Sequence, residues 1–469
     1  MKKLHRMPAL CCGAICVLVA GCATVDPKHD YGKVSQQVVE ATGQSSSYQP
    51  DQEAAVEAHV AALLADGLTS DEAVQVCLLN NPSFQAAWMD VGMARADLVQ
   101  AGLLSNPSLF TSLRLPSGGG LANLEFSLAQ NIAELWQIPV RKRAANRSLD
   151  RQILVLTRRA AELVSETKAA YIRALGAQHV HAIARENLAI AKQLVDLAVA
   201  RKDAGEGSEL DVNLSRSAAQ EAQLAVETTR LSEAEARRRL AQLLGLTEDP
   251  TTLALKDAFQ QAGPGALDVQ GLIQLAAGKR LDIRAAEQAA AQAEAVVREQ
   301  YARVFKNVEI GVALERAERQ RQGGRDLLAD TARASIANGG LTAPDIQPRS
   351  ERRQNTDLII GPSVALEVPI FDQNQAQIAK AEFALQQARK TLDALERSAL
   401  QAVRNVADWL TTAWAVVRFY REELIPLAQR SLEMNRDAYR AGSTSILAVM
   451  EAQRFLLDAR RRHVEAVQS

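Results

Sequence analysis

The chain has 469 residues, with 54 Lys or Arg and 55 Asp or Glu, and a formal net charge of −1. This balance gives no electrostatic reason to expect a nucleic-acid partner. Aromatic residues make up only 4% of the chain and charged residues 23%. Long stretches consist of Ala, Leu, Glu, Gln, Arg and Lys, a composition typical of long helices and coiled coils.

Residues 1–21 have the layout of a secretory signal peptide. Three basic residues precede an apolar run that is too short to span a bilayer as a helix. The run ends in the sequence LVAGC at 18–22, which resembles the bacterial lipoprotein box. That resemblance makes Cys22 the lipidated first residue of the mature protein, and Ala23 after it favours the outer membrane. An ordinary cleaved signal, with an incidental Cys22, is the alternative.

After a polar lead-in at 22–70, the chain repeats one order of elements: helix, strand, turn, strand, long helix, loop and helix. We assign the first copy to 71–246 and the second to 271–469, with a connector at 247–270. The clearest match aligns 204–212 with 441–449. In both copies a glycine ends one helix and a serine three residues later can cap the next, which predicts helical hairpins.

The helices carry small and apolar residues at alternating spacings of four and three, which predicts coiled-coil seams. The first-copy seam comprises Ala160, Leu163, Thr167, Ala170, Ala174, Ala177, His181, Ala184, Leu188, Ala191, Val195 and Ala198. The second comprises Ala399, Val403, Val406, Leu410, Ala413, Val417, Tyr420, Leu424 and Leu427. A helix over 143–204 would extend roughly 90 Å, which suits a tube or rod better than a compact globule.

Four short segments alternate between apolar and polar residues, which predicts strands with two unlike faces. Two lie at about 108–130, and the others lie at about 307–315 and 358–371, separated by an unusually long surface loop at 316–356. An ordinary soluble sheet is one interpretation. If several protomers share one barrel, the apolar faces meet lipid and the charged residues line a wet lumen. The lumen candidates are Arg114, Glu125, Glu309, Glu315 and Glu367.

Several segments resemble the TolC-like outer-membrane efflux family, and one of them, NPSL at 106–109, particularly resembles its heavy-metal branch. These are NPSL at 106–109, GPSVALEVPIFD at 361–372, LIPLA at 424–428, AYRAG at 438–442 and SILAVMEA at 445–452. The resemblance covers nearly all of the chain after about Ser70. It implies a mainly α-helical protomer whose hairpins build a coiled-coil tunnel and whose four strands join a twelve-stranded barrel in a homotrimer.

The resemblance also implies the function. The chain would be a passive conduit from periplasm to exterior, anchored in the outer membrane and extending into the periplasm. It would dock a periplasmic adaptor and an inner-membrane pump of the resistance-nodulation-division type. It would not be an enzyme, would bind no nucleic acid and would carry no cofactor or metal apart from the covalent lipid at Cys22.

The family channels close at the periplasmic tip, and the resemblance assigns three gate residues: Asp211, Tyr439 and Glu451. Thr444 and Ala448 stand where the family prototype has an arginine and a second ring aspartate, so that part of its lock is missing. Asp211 and Glu451 are alternatively solvated acids at helix starts, favoured there by the helix dipole.

Two other classes of protein remain open from the sequence: a periplasmic adaptor and a structural coiled-coil lipoprotein. Adaptors typically use one hairpin flanked by β-rich domains, whereas this chain has two hairpins and two strand pairs. His179 and His181 are two residues apart, on different helix faces, so we predict no metal pair. The exported substrate, a metal ion or a drug or other small molecule, stays undetermined.

Overall fold

The computed structural model describes residues 23–44, 48, 50, 53–115, 117, 122–247, 253–259, 267–318, 327–342 and 356–468. The predicted lipidation site at Cys22 lies outside these ranges. The chain is mainly α-helical with one small sheet, which confirms the predicted fold class. In the described ranges the helices are α1 (Lys28–Thr42), α2 (Glu53–Leu64), α3 (Ser70–Asn80), α4 (Pro82–Ala101), α5 (Glu134–Asp203), α6 (Glu209–Leu244), α7 (Val269–Lys279), α8 (Leu281–Ala302), α9 (Leu327–Ala337), α10 (Gln375–Phe419), α11 (Ile425–Arg440) and α12 (Ile446–Gln468).

The sheet contains β1 (Ser108–Arg114), β2 (Asn123–Asn131), β3 (Val308–Glu318) and β4 (Thr356–Leu366). Its order is β1-β2-β3-β4, with every neighbouring pair antiparallel. The first and second copies therefore contribute adjacent halves of one sheet. Within it, β1 and β4 each pair with one strand only and form the two edges.

The strands of the second copy differ from the prediction at their ends. β3 continues to Glu318, beyond the predicted 315, because its last residues pair with the start of β4. β4 ends at Leu366, before the predicted 371, because Leu366 pairs with Val308, the first residue of β3. Glu367 therefore lies just outside the strand, where its backbone N–H donates to the Asn307 carbonyl at 3.3 Å.

The predicted loop at 316–356 contains a helix that the sequence analysis missed. α9 has the sequence LLADTARASIA, rich in residues that favour helices. Gly339 follows with φ at +67°, a left-handed conformation that suits a position just after a helix. The connection between β3 and β4 thus contains a helix, and Ile336 and Leu341 in it are highly exposed.

Two compact units can be distinguished, and each draws on both copies. The first comprises 1–96, 147–290 and 387–469, and the second comprises 97–146 and 291–386. The second unit holds the sheet. In the first unit, Trp88 lies against the rings of Tyr31, Tyr48 and Phe84, with centroid distances of 5.5, 6.4 and 6.2 Å. These rings fix α1 and residue 48 against α4.

The predicted seams differ in burial. α5 runs without interruption for 70 residues, and most of its seam positions are buried, including Ala160, Leu163 and Ala174. In the second copy Val406 and Leu410 are exposed within the single chain. At the end of α10 the helix of the second copy changes to a π-helical turn at Tyr420–Leu424, which was not predicted from the sequence. Proline two residues later, at 426, lacks the N–H that an uninterrupted α-helical ladder needs there.

The end of α6 is held by the junction between α3 and α4. Asn81 Nδ2 donates to the Leu243 carbonyl at 2.8 Å, and Asn80 Nδ2 donates to the Leu244 carbonyl at 2.9 Å. Both amides satisfy carbonyls that a helix end leaves without an internal partner. Gly245 ends α6 with φ at +68°, and a Cβ there would lie 2.3 Å from the Asn80 carbonyl oxygen.

We expect Gly245→Ala to destabilise the protein by more than the roughly 1–2 kcal/mol that a left-handed conformation costs a non-glycine residue. The excess arises because the added methyl group meets backbone rather than a flexible side chain. Gly43→Ala is the matched control, since Gly43 also has a positive φ, +72°, but open space around its Cβ position. Urea denaturation of the detergent-purified protein measures both, and equal losses would contradict the steric argument.

Candidate functional site

The sheet has one mainly apolar face, as the alternation predicts, although Thr111, Gln130 and Arg316 also lie on it. Val312 pairs with Leu128 on one side and with Pro362 on the other, so side chains of the same character align across the strands. This face is exposed rather than packed in a core. Its exposed members are Leu109, Leu113, Phe126, Leu128, Ile310, Val312, Leu358, Ile360, Val364 and Leu366.

The opposite face brings together the predicted charged residues. Glu125 lies directly opposite Glu315 in the register. Arg114 Nη2 lies 3.5 Å from Glu125 Oε2, and Asn123 Nδ2 donates to Glu315 Oε1 at 3.0 Å. Carboxylates that face each other repel, and the arginine and the amide offset part of that repulsion. Such a pairing is compatible with a hydrated surface.

The remaining lumen candidates lie towards the other end of this face. Glu309 accepts a hydrogen bond from Asn307 Nδ2 at 3.0 Å. By strand alternation Glu367 would continue the same face, but it lies beyond the end of β4 and is exposed. Phe110 and Ile359 interrupt the polar character, because both are exposed apolar residues on this face. Four of the five candidates thus share one face of the sheet, and the fifth lies just past its end.

Exposed aromatic side chains lie where the strands meet the helices. Trp136 follows β2, Phe305 precedes β3 and Phe371 follows β4, and all three are exposed. Trp136 Nε1 donates to the Ala302 carbonyl at 3.3 Å, so its ring position is fixed while its apolar surface stays open. Aromatic residues in this position are typical of the boundary between hydrocarbon and headgroups.

The first hairpin turn is built by capping. Gly205 adopts φ at +80° after α5, and Ser208 caps α6 by accepting from the Asp211 N–H at 3.1 Å. The Asp211 carboxylate in turn accepts from the Ser208 N–H at 3.2 Å, which completes a capping box. This geometry confirms the predicted turn, and it shows that Asp211 has a structural role at the helix start.

The second hairpin turn follows α11, and Gly442 adopts φ at +74° there. Tyr439 is buried in an apolar cluster between the hairpins. Burial raises the pKa of Tyr439, the Asp211 carboxylate raises it further, and Arg201 opposes them. Val212, the residue next to Asp211, lies in the same buried cluster as Tyr439. The buried cluster comprises Leu194, Ala198, Val212, Ala428, Leu432, Tyr439, Ile446, Val449 and Leu456.

Glu451 is placed differently from the other two gate candidates. It is exposed on α12, and its carboxylate lies 3.9 Å from Arg454, which also lies 3.6 Å from Glu221. A surface ion pair of this kind contributes little to stability. The structure thus brings together Asp211 and Tyr439 and leaves Glu451 in a separate ion-pair group.

Arg201 is the residue of this region that sequence reasoning missed. It lies in the last turn of α5, and its guanidinium carbon is 4.7 Å from the centroid of the Tyr439 ring. The available signal was a basic residue close to a helix C-terminus, where it complements the helix dipole. That signal does not reveal a contact with a residue more than two hundred positions away.

The described part of the chain contains no group of His, Cys, Asp and Glu side chains arranged to hold a metal ion. His181 Nδ1 lies 3.1 Å from Thr229 Oγ1, and His179 stacks on Phe259 at 5.3 Å. In the same ranges, none of the helices combines the length and apolarity that crossing a bilayer requires.

Comparison with known proteins gives consistent results. Residues 272–469 match the sequence profile of the family described as "Outer membrane efflux protein". Nodulation protein T of Rhizobium leguminosarum bv. viciae is 25% identical over 411 residues, which cover 85% of this chain and 79% of that protein.

Solved structures share the fold at low sequence identity. A CusC structure, described in terms of transmembrane channel formation, aligns with a TM-score of 0.62 and 20% identity, covering 85% of this chain and 88% of CusC. VceC from Vibrio cholerae aligns at 0.61 and 17% identity, covering 85% and 92%. The open state of the MtrE outer membrane channel from Neisseria gonorrhoeae aligns at 0.60 and 18% identity, covering 85% of both chains.

Proposed function

We infer from the match of residues 272–469 to the outer membrane efflux protein family that this chain is the outer-membrane channel of a tripartite efflux system. The fold is that of the solved channels, which are transport proteins and not enzymes. In this proposal the protomer conducts passively from periplasm to exterior, and the energy comes from an inner-membrane pump, of the resistance-nodulation-division type, coupled through a periplasmic adaptor.

The observation that carries this proposal is the sheet with two unlike, exposed faces. One face is a band of open apolar side chains, and the other holds paired charges such as Arg114 with Glu125. A sheet in water would bury its apolar face, because exposing that area is unfavourable. Lipid on one side and water on the other satisfy both faces.

Four strands cannot close on themselves, and β1 and β4 leave two open edges in the chain. Unpaired edge groups in a bilayer are very unfavourable, so the edges must pair with other subunits. Three protomers would supply twelve strands in one barrel. The exposed second-copy seam, at Val406 and Leu410, supports the same proposal because sister helices would cover it.

Lipidation of Cys22 is also part of this proposal and rests on the sequence at 18–22. It would anchor the mature N-terminus in the same membrane that holds the barrel. Mass spectrometry of the purified protein tests it directly, since an acylated N-terminal cysteine carries the mass of its lipid. A mature chain that begins elsewhere, or an unmodified Cys22, would remove the anchor from the proposal.

The decisive experiment is purification of the full chain in detergent and reconstitution into planar bilayers. We expect a detergent-stable trimer that forms discrete, water-filled conducting pores. A monomeric protein with no conductance would overturn the channel proposal and would favour an adaptor or a coiled-coil lipoprotein without a pore. Identification of a co-purifying pump would then indicate whether the exported substrate is a metal ion or an organic molecule.

We further expect neutralisation of Asp211 to lower the cation selectivity of the pore. Three carboxylates in a narrow constriction attract cations and repel anions. Asp211→Asn is the informative change, because an amide oxygen can keep the cap on Ser208 while the charge is lost. Reversal potentials in asymmetric KCl measure the effect.

Glu227→Gln is the control for this prediction. Glu227 is an exposed acid on the same helix, paired with Arg230 at 3.1 Å and remote in sequence from the turn. We expect its reversal potential to equal that of the unmodified channel. If Asp211→Asn also leaves the reversal potential unchanged, Asp211 is a helix cap and no part of the gate.

A further inference from the structure

The connection between β3 and β4 contains a helical unit in which polar groups are turned inward and apolar groups outward. Thr342 folds back against α9, where its N–H donates to Ser335 Oγ at 3.0 Å and its hydroxyl donates to the Thr331 carbonyl at 3.3 Å. Ile336 on α9 is 82% exposed, and Leu341 is fully exposed. A surface segment in water gains by the reverse arrangement, because exposed apolar area is unfavourable.

The outward side of α9 combines apolar and basic character. Ala332, Arg333 and Ile336 are exposed, whereas Thr331 and Ser335 are partly buried. Residues three and four apart lie on the same side of a helix, so the three exposed residues form one surface. Helices that lie in the plane of a membrane interface present apolar residues to the acyl chains and basic residues to the headgroups. This surface has both components.

Arg316 marks the level of the sheet at which α9 is attached. The connection leaves β3 at Glu318 and enters β4 at Thr356, at the end of the sheet away from the strand–helix junctions. Arg316 is exposed on the mainly apolar face, between Leu124 and Leu358 in register. A lipid-facing arginine is costly at the bilayer midplane but not near the headgroups. Its position therefore indicates that this end of the sheet lies at headgroup level.

The charge of the connection favours an anionic occupant for the α9 surface. By sequence, residues 319–355 include seven arginines and four acidic residues, a net charge of +3, whereas the whole chain has −1. Arginine recognises phosphate groups through parallel hydrogen bonds, and basic segments are attracted to anionic membrane surfaces. The same connection of a sister subunit carries the same positive charge, so repulsion disfavours it as the occupant.

We propose that α9 and Arg316 form a docking surface for the anionic lipid of the outer leaflet. Ile336 and Leu341 enter the boundary between headgroups and acyl chains, and the Arg316 guanidinium binds lipid phosphate. The surface holds the outer rim of the barrel at a fixed depth in the membrane. This inference rests on the proposed function, in which the helices extend into the periplasm and this end of the sheet faces the exterior.

The test places an environment-sensitive fluorophore on the full chain at Ile336→Cys. Cys77 is buried and Cys22 is proposed to be acylated, so the introduced thiol is the accessible one. We expect lipids with brominated acyl chains to quench this label severalfold more strongly than the same label at Ala334→Cys, in vesicles of phosphatidylcholine and phosphatidylglycerol. Ala334 is the matched control, because it is exposed on the same helix but lies about 160° around it from Ile336.

The charge requirement is tested by brominating one lipid at a time. We expect brominated phosphatidylglycerol to quench the label at 336 severalfold more than brominated phosphatidylcholine at equal content. Arg316→Gln should reduce this preference. Arg114→Gln should leave it unchanged, because Arg114 lies at the same end of the sheet but on the opposite face, beside Glu125.

Three results would overturn the lipid-docking proposal. Equal quenching at 336 and 334 would show that the outward side of α9 does not meet lipid. A blue-shifted label at 336 that lipid does not quench would show that protein, such as a sister subunit, covers this surface. Equal quenching by the two lipids, or an unchanged preference in Arg316→Gln, would remove the anionic headgroup. A native protein that conducts under the same conditions keeps the channel proposal intact in each case, and only loss of its conductance would overturn that proposal.

Discussion

Arginine in place of Val312 is expected to destabilise the membrane-inserted protein by about 2–4 kcal/mol, the cost of a lipid-facing arginine at the middle of a barrel wall. Val312 is central in β3, 55% exposed, and flanked in register by Leu128 and Pro362. Its surroundings offer no carboxylate in the paired positions. The loss should appear as a lower folded fraction in lipid vesicles across a urea series and as a lower amount of trimer in the outer membrane.

Ala313→Arg is the matched control, one residue further along the same strand. Ala313 pairs with Ser127 and Gly361, on the face that also carries Glu125 and Glu315. In a water-filled lumen this arginine stays hydrated, so we expect insertion close to that of the unmodified protein, with a changed ion selectivity. Equal losses for the two variants would mean that the faces do not differ in environment, and the membrane assignment of the sheet would fail.

The two faces could be predicted from sequence because strand alternation has a period of two and depends on local pattern alone. The sequence of each strand indicates which of its sides is apolar. The register of the sheet places Leu128 beside Val312 and Glu125 beside Glu315. The hairpin turns were equally local, since a glycine and a capping serine specify them. The ends of the strands were less predictable. β4 stops where β3 offers no further partner, and this depends on the pairing of the two strands and not on the local sequence.

The contact of Arg201 with Tyr439 could not be predicted for a related reason. Both residues sit near helix ends, and nothing in either segment indicates which carbonyls the guanidinium will reach. The family resemblance implies an arginine only in the second copy, where this chain has the uncharged Thr444. A search for arginines near the corresponding turn of the first copy would have found the candidate, since Arg201 precedes Gly205 by one helical turn.

The N-terminal segment was likewise predicted only as a polar lead-in, yet α1 is fixed to α4 by a buried ion pair. Arg95 Nε donates to Asp30 Oδ2 at 2.5 Å and Nη2 donates to Oδ1 at 2.6 Å. The Asp30 side chain is fully buried, whereas 23% of the Arg95 side chain is exposed. Two parallel bonds between guanidinium and carboxylate fix distance and orientation together.

Arg95→Ala is therefore expected to destabilise the protein by about 3–5 kcal/mol, because it leaves a buried carboxylate without its partner. Arg460→Ala provides the comparison. The Arg460 side chain is 29% exposed, close to that of Arg95, but its partner Glu186 is 64% exposed and remains hydrated when the arginine is removed. For that variant we expect a loss of about 1 kcal/mol or less.

Urea denaturation in detergent compares the two arginine variants, and limited proteolysis locates the change. If the ion pair holds α1 in place, Arg95→Ala should release α1 to proteases while the hairpins stay resistant. Because α1 begins soon after Cys22, its release would also detach the proposed lipid-anchored end of the chain from the helices. Matching losses for Arg95→Ala and Arg460→Ala would show that burial of Asp30 carries no extra cost, and that the aromatic contacts of Trp88 alone hold α1 on α4.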